Sequence, residues 1–243
     1  MRIADWGLRI CWCAAVAALL SSVQAQDSSA LTPFPVETAT PTPIPAITPT
    51  PYPARSVRVS FVPPPLEGTL SLGIYDSAGK LVRVLHQQVT LDAFTIGADA
   101  LQTKWDGKDN DGQDLPAGKY SARGYVVGPL QLENLAPATP DSSPALPIDK
   151  IPIKLVSNPL TKNERPTVEL TIGFDDTDSF LKTSDDLPLF VISERTDITK
   201  VVVTKNGEKS IDVWQEYGGG MERFRLSKLD QMMAFDCGPL DLK

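Results

Sequence analysis

The sequence predicts an all-β protein: a β-sandwich over residues 56–128, then a second, small β-rich module over 165–243, with Pro-rich segments before and between them. Three observations predict this. Apolar and polar residues alternate over strand-length runs, the period that turns one face of a strand toward a core. Clusters of Gly, Pro, Asp, Asn and Ser interrupt those runs about every 8 to 12 residues. No stretch of the first module sustains a helical period.

Along the chain, Arg2 and Arg9 precede the apolar run Ile10–Leu20, and Ser21-Ser22-Val23-Gln24-Ala25 supplies small residues for cleavage. This is the pattern of a secretory signal over residues 1–25, too short to span a bilayer. Cys11 and Cys13 lie inside the apolar run rather than at the cleavage point of a lipoprotein. The mature chain is therefore expected to begin near Gln26, outside the cytoplasm (periplasmic, cell-surface or secreted), with no direct membrane insertion. Thr and Pro dominate residues 26–55, as in Thr48-Pro49-Thr50-Pro51-Tyr52-Pro53. Proline fixes φ and lacks the amide hydrogen, so an extended spacer is expected, reaching on the order of 60 to 70 Å at roughly 3.1 Å per residue. A disordered tail or an O-glycosylated stalk would share this composition.

In the first module Val57–Phe61 and Thr69–Tyr75 alternate, Asp76-Ser77-Ala78-Gly79 is a turn, and Lys80–Leu85 begins the return strand. Further strands are predicted at Val89–Phe94, Ala100–Trp105 and Lys119–Val127. Between the last two runs lies Trp105-Asp106-Gly107-Lys108-Asp109-Asn110-Asp111-Gly112, followed by Leu115-Pro116-Ala117-Gly118-Lys119-Tyr120. These motifs, in this order after Tyr75-Asp76-Ser77-Ala78-Gly79-Lys80, resemble the Ig-like domain of the FlgD type, first known from the flagellar hook-capping protein. The resemblance covers about 70 of the 243 residues. It implies an immunoglobulin or fibronectin type III-like sandwich, with Trp105 and Tyr120 as core anchors and Gly107, Gly112 and Gly118 at turns. It does not imply hook capping, because no hook-binding segment is visible.

Residues 129–164 carry Pro137, Pro140, Pro144, Pro147 and Pro152 and read as a linker with one strand-like stretch, Ile151–Val156. In the second module Val168–Ile172 and Leu187–Ser193 read as strands. Thr199–Thr204 and Glu208–Trp214 read as a hairpin around Asn206-Gly207, a pair suited to a type I′ turn. Ser227 followed by Asp230 predicts the cap of a short helix through Ala234.

The formal charge of −7 is spread without long runs and argues against nucleic acid or anionic lipid as partner. After signal removal Cys237 is the remaining cysteine and His86 the one histidine, so a Cys/His zinc site and an intramolecular disulfide are not expected. Cys237 reads as a buried thiol or as half of an intermolecular bridge. No cofactor is expected apart from one candidate, a calcium ion at Asp106, Asp109 and Asp111, with Asp114 nearby. The spacing departs from an EF-hand and lacks its terminal Glu, and the same residues serve turns by bonding their own backbone. Asp175, Asp176 and Asp178 read in the same two ways. His86 has no nucleophile elbow near it, and Gly218-Gly219-Gly220 lacks the Lys and Ser or Thr of a phosphate loop. Trp214 and Tyr217 are the candidate ligand-binding pair, as a stacking platform for sugar rings.

The function these features favour is a secreted, non-enzymatic structural, adhesive or assembly protein of the bacterial cell envelope, with a protein partner there. The alternative is a carbohydrate-binding or accessory module with a glycan partner.

Overall fold

Among the described residues four antiparallel sheets pack together, and one of them is covered on both faces over most of its length. The computed structural model describes residues 55–138, 147–160 and 165–243, with side chains at 136–138 left out. The predicted signal (1–25), nearly all of the spacer (26–55) and residues 139–146 and 161–164 of the linker lie outside the described residues. Residues 50–243 form one compact unit. No described helix is long and apolar enough to cross a membrane.

The first sandwich faces a three-stranded sheet, β1 (Val57–Phe61), β5 (Leu101–Trp105) and β4 (Thr95–Ile96), against a four-stranded one. The latter has the order β15 (Met232–Leu242), β6 (Gly118–Val127), β2 (Thr69–Tyr75), β3 (Leu81–Val89). Val59, Phe61, Leu70, Leu72, Ile74, Trp105, Tyr120 and Ala122 fill the core between them. Alternation places these residues on one face, and Trp105, with no exposed surface, meets the Tyr120 ring edge-on at 5.1 Å. Phe61 stacks on Phe235 at 4.8 Å and meets the edge of Phe94 at 5.1 Å. Phe235 sits opposite Gly124 on β6, where an added Cβ would fall 2.2 Å from the Ser71 carbonyl oxygen.

The second sandwich packs β12 (Ile198–Lys205), β13 (Ser210–Tyr217), β14 (Gly220–Ser227) and β7 (Gln131–Ala138) against β11 (Pro188–Glu194), β10 (Asp178–Thr183), β9 (Thr167–Phe174) and β8 (Ile151–Lys154). Its core draws on both sheets and also on Tyr125, Val127, Met232 and Ala234 of β6 and β15. The sheet β15-β6-β2-β3 is thus covered on both faces except at the end carrying Lys119 and Asp241, and Ser71 and Tyr75, turned away from the first core, have no exposed surface. Strand β15 serves both cores through its two faces, Met232 and Ala234 toward the second and Phe235 toward the first, and then changes phase. Phe235 and Cys237 face the first core ahead of a bulge between Asp236 and Gly238, and Leu240 and Leu242 face it beyond. A bulge adds one residue to one strand and so shifts the pleat, and Gly238 (φ 80°) supplies the left-handed backbone here.

Several elements differ from the sequence reading. The expected linker at 129–164 contributes β7, paired with β14, while its strand-like stretch Ile151–Val156 appears as β8, paired with β9. The expected helix from Ser227 to Ala234 is the end of β14, a turn and the start of β15, because Met232 and Ala234 are needed in a core. The closing strand of the first sandwich comes from within the range assigned to the second module, 165–243. At the strand expected over Val89–Phe94, β3 ends at Val89 and Leu91–Ala93 form a 3-10 turn that brings Phe94 under Phe61. The Asn206-Gly207 hairpin is wider than a two-residue turn: Asn206 N–H donates to the Ser210 carbonyl at 3.0 Å, and the Lys209 carbonyl accepts from Leu229 N–H at 3.1 Å.

Trp105→Ala is expected to cost about 3 to 5 kcal/mol through loss of a large buried ring. Because β15 belongs to both cores, the variant should melt in a single shifted transition, with Trp214 fluorescence in the second sandwich following far-UV dichroism. A parent-like Tm, or two separated transitions, would contradict this placement.

Candidate functional site

The turn-dense loop after β5 is built from its own side chains. Asp106 Oδ1 accepts from Lys108 N–H (3.1 Å), and Asp109 Oδ1 accepts from the amides of Asp111 (3.0 Å) and Gln113 (2.8 Å). Gly107 and Gly112 both take φ 78°, the left-handed backbone these turns require, while Gly118 opens β6 in ordinary extended geometry. Trp105 Nε1 donates to the Lys108 carbonyl at 2.9 Å, which ties the loop to the core residue before it. Tyr120 Oη donates to the Pro116 carbonyl at 2.8 Å.

The loop also covers the outer edge of β3. Asn110 N–H donates to the Val82 carbonyl (3.2 Å), Asn110 Oδ1 accepts from Val84 N–H (2.8 Å), and Arg83 Nη1 donates to the Asp109 carbonyl (2.5 Å). An uncovered edge strand is a template for pairing with other chains, and here one asparagine takes both its donor and its acceptor positions. Of the carboxylates that suggested calcium, Asp106 and Asp109 bond backbone amides of their own loop. Among the described residues no group of three or more His, Cys, Asp or Glu converges in a way that could hold a metal ion. Asp175 behaves alike: its Oδ1 accepts from Thr177 N–H (2.8 Å) and Asp178 N–H (3.0 Å), and these bonds lower its pKa.

Polar chemistry buried between the sandwiches is spent on joining them. The Arg123 guanidinium lies 3.8 Å over the Tyr75 ring and pairs with Asp185, from the β10–β11 turn, at 2.7 Å. Arg165 lies 5.3 Å from the Tyr125 ring centroid and donates to the Phe235 carbonyl (2.9 Å) and to Asp236 (2.8 Å). Gln88, a non-glycine residue at φ 48°, accepts from Val191 N–H at 2.9 Å. Beside it a groove of about 320 Å³ is lined by Glu67, Thr69, Gln88, Leu130 and Phe190 among others. Burial pushes the phenols of Tyr75 and Tyr125 above their ordinary range.

The remaining candidates are dispersed. His86 Nε2 shares a hydrogen with Thr103 Oγ1 at 2.8 Å and its ring packs on Phe94 at 4.6 Å; burial lowers its pKa. Cys237 lies at the opposite edge of the same sheet, two strands intervening, or about 14 Å at the usual strand spacing, too far for a thiolate-imidazole pair. Its thiol, raised by burial and then by Asp236, is pushed up to about 12. Trp214 and Tyr217 are three residues apart on β13 and so project from opposite faces; they do not form one platform. Trp214 is buried on the outer face, with the Arg223 guanidinium 4.6 Å from its centroid and Nε1 donating to Thr204 Oγ1 at 3.3 Å. Tyr217 lies under Arg195, 3.9 Å from its centroid. Gly218 and Gly219 close the two-residue β13–β14 hairpin.

Sequence reading missed Asp212 beside Trp214. Burial alone would raise this carboxyl, but donors from Arg225 (2.8 Å), Arg223 and Asn206 (3.1 Å) hold it at about 2. The signal for it was the outward parity of Thr204, Asp212, Trp214, Arg223 and Arg225 in adjacent strands.

The first sandwich thus has a strand, a turn loop and a strand, with Trp105 buried at the loop's root. Residues 54–123 match the family model of the FlgD Ig-like domain. No curated protein and no solved structure matches the chain. The matched FlgD-type domain stops within β6, so its closing strand lies outside the matched residues.

Two outcomes follow for these polar groups. Asp109→Ala strands two backbone donors and should cost about 1 to 2 kcal/mol by thermal melting, equally with calcium and with chelator. Asp212 titrates below its ordinary 3.8, so its contribution is complete above that value and lost as pH falls toward 2. Asp212→Asn should therefore flatten the fall of Tm between pH 4 and pH 2; an unchanged acid slope would refute the assignment.

Proposed function

We propose that this chain is a secreted, non-enzymatic protein of the bacterial cell envelope that works by protein–protein contact, as an assembly or adhesive component. The observation that carries the reading is the FlgD Ig-like match over residues 54–123, a domain type that implies protein interaction. Two features of the structure support it. Asp106 and Asp109 of the loop and the cationic side chains of the seam are engaged in holding loops and joining sandwiches. The described histidine and cysteine sit at opposite edges of one sheet and so do not form a cysteine–histidine nucleophilic pair. The expected signal over residues 1–25 and the Thr/Pro composition of residues 26–55 support export and a domain held away from its neighbour.

The test is capture from an envelope fraction on the immobilised chain starting at Gln26. Expected is stoichiometric retention of a protein, displaced by excess soluble chain and insensitive to chelator. Retention of polysaccharide alone, or turnover of a polymer in the fraction, would overturn the reading.

A further inference from the structure

The strand that closes the FlgD-type sandwich is delivered only after the whole second sandwich: residue 127 of β6 pairs with residue 232 of β15. We propose that this closing strand is exchangeable between copies, so that β15 of one chain seats on the β6 edge of another and the partner of this surface is a second copy of the same chain. The inference rests on the assembly reading above and names its partner.

The seat is a groove walled on both sides. Strand β6 offers in-register partners from Val127 to Gly118. Facing it, Val156 N–H donates to the Met232 carbonyl (2.9 Å), Asn158 Nδ2 to that of Ala234 (3.2 Å), and Arg165 Nη2 to that of Phe235 (2.9 Å). The floor and roof are the two cores, which receive Phe235, Leu240 and Leu242 on one side and Met232 and Ala234 on the other. The groove is selective because its occupant must change apolar phase at the bulge between Asp236 and Gly238. A strand of uniform alternation would bury polar side chains at one end. Residues 232–242 carry the required pattern, and every copy of the chain carries those residues.

The connection into β15 suits exchange. Four residues, 228–231, join it to β14, and Lys228 sits at φ 63°, a left-handed conformation that a lysine adopts at a cost. The turn is held by Gln231 N–H to the Lys228 carbonyl (2.9 Å), Leu229 N–H to the Lys209 carbonyl (3.1 Å) and the Lys209–Asp230 ion pair (2.6 Å). Straightening it releases Lys228 while β15 keeps the same neighbours on the second copy. Exchange then opposes the bonds of this turn, the burial of Leu229 and the advantage of an intramolecular strand, the last of which high local concentration erodes.

The test uses Lys119 and Asp241, exposed partners across β6 and β15. In full-length chains with Cys11, Cys13 and Cys237 replaced by serine, the double variant Lys119→Cys with Asp241→Cys should close an internal disulfide at monomer mobility. Failure to close would overturn the strand pairing on which the proposal stands. Chains carrying Lys119→Cys alone and Asp241→Cys alone are then unfolded, mixed at high concentration, refolded and oxidised. A covalent heterodimer in at least several-fold excess over either homodimer is the expected result, growing with chain concentration. Heterodimer at the level of the homodimers would overturn exchange, and envelope capture of another protein by the same chains would then leave the assembly reading standing.

Discussion

The pairing of β15 with β6 is the constraint on which the other parts of the structure depend. One strand supplies Phe235, Leu240 and Leu242 to the first core and Met232 and Ala234 to the second, so neither core is complete without it. A sheet buried on both faces has no polar surface to give up, and β6 accordingly runs Ala122, Gly124, Tyr125, Val126 and Val127 with every one of them buried. Burial on two faces also removes the usual freedom at Gly124, which must pass beneath Phe235 and beside the Ser71 carbonyl.

Such a seam has to satisfy whatever polar groups it traps. Tyr75 is turned by strand alternation away from the first core and would be an amphipathic surface residue on a one-sided sheet. With the second sandwich against it, the ring is covered by Arg123, and the charge of Arg123 is in turn met by Asp185 from a β10–β11 turn that no local signal connects to it. Arg165 repeats the arrangement over Tyr125 with Asp236. Two arginine-over-tyrosine contacts, each anchored by a carboxylate of another element, fix the rotation of one sandwich against the other more specifically than apolar packing alone would.

How much of this is legible in the sequence follows from the range of each interaction. Strand positions in the first sandwich were readable because alternation is local, and Trp105, Asp106 and Gly107 declared their loop because turn chemistry is written within a few residues. The role of β15 was not readable. Its bulge breaks the alternation between Phe235 and Leu240, and Ser227 with Asp230 just before it imitates a helix cap. The Pro-rich stretch hid β7 for a related reason: its prolines read as a linker, but edge strands tolerate proline and β7 is an edge strand. In the candidate site, Trp214 and Tyr217 stood out as aromatic residues close in sequence. The period of two that made β13 recognisable as a strand is what separates them onto opposite faces.

Edges complete the logic of a protein made wholly of strands. Each sheet ends in strands whose amides and carbonyls are open to any extended chain, and the fold closes several of these from within. Asn110 occupies β3 with both halves of its own hydrogen-bonding capacity; Val156, Asn158 and Arg165 occupy β15; Ile148 N–H reaches the Val203 carbonyl of β12. The first two closures differ in kind. At β3 the cover is a loop fastened to Trp105 a few residues away, so it re-forms locally and admits no substitute. At β15 the strand is itself the cover of β6, and it arrives from the far side of the second sandwich through the turn at Lys228. An edge closed by a distant segment of the chain is chemically the same edge whichever copy supplies the segment, and that equivalence is what makes β6 the place where two molecules of this protein can become one assembly.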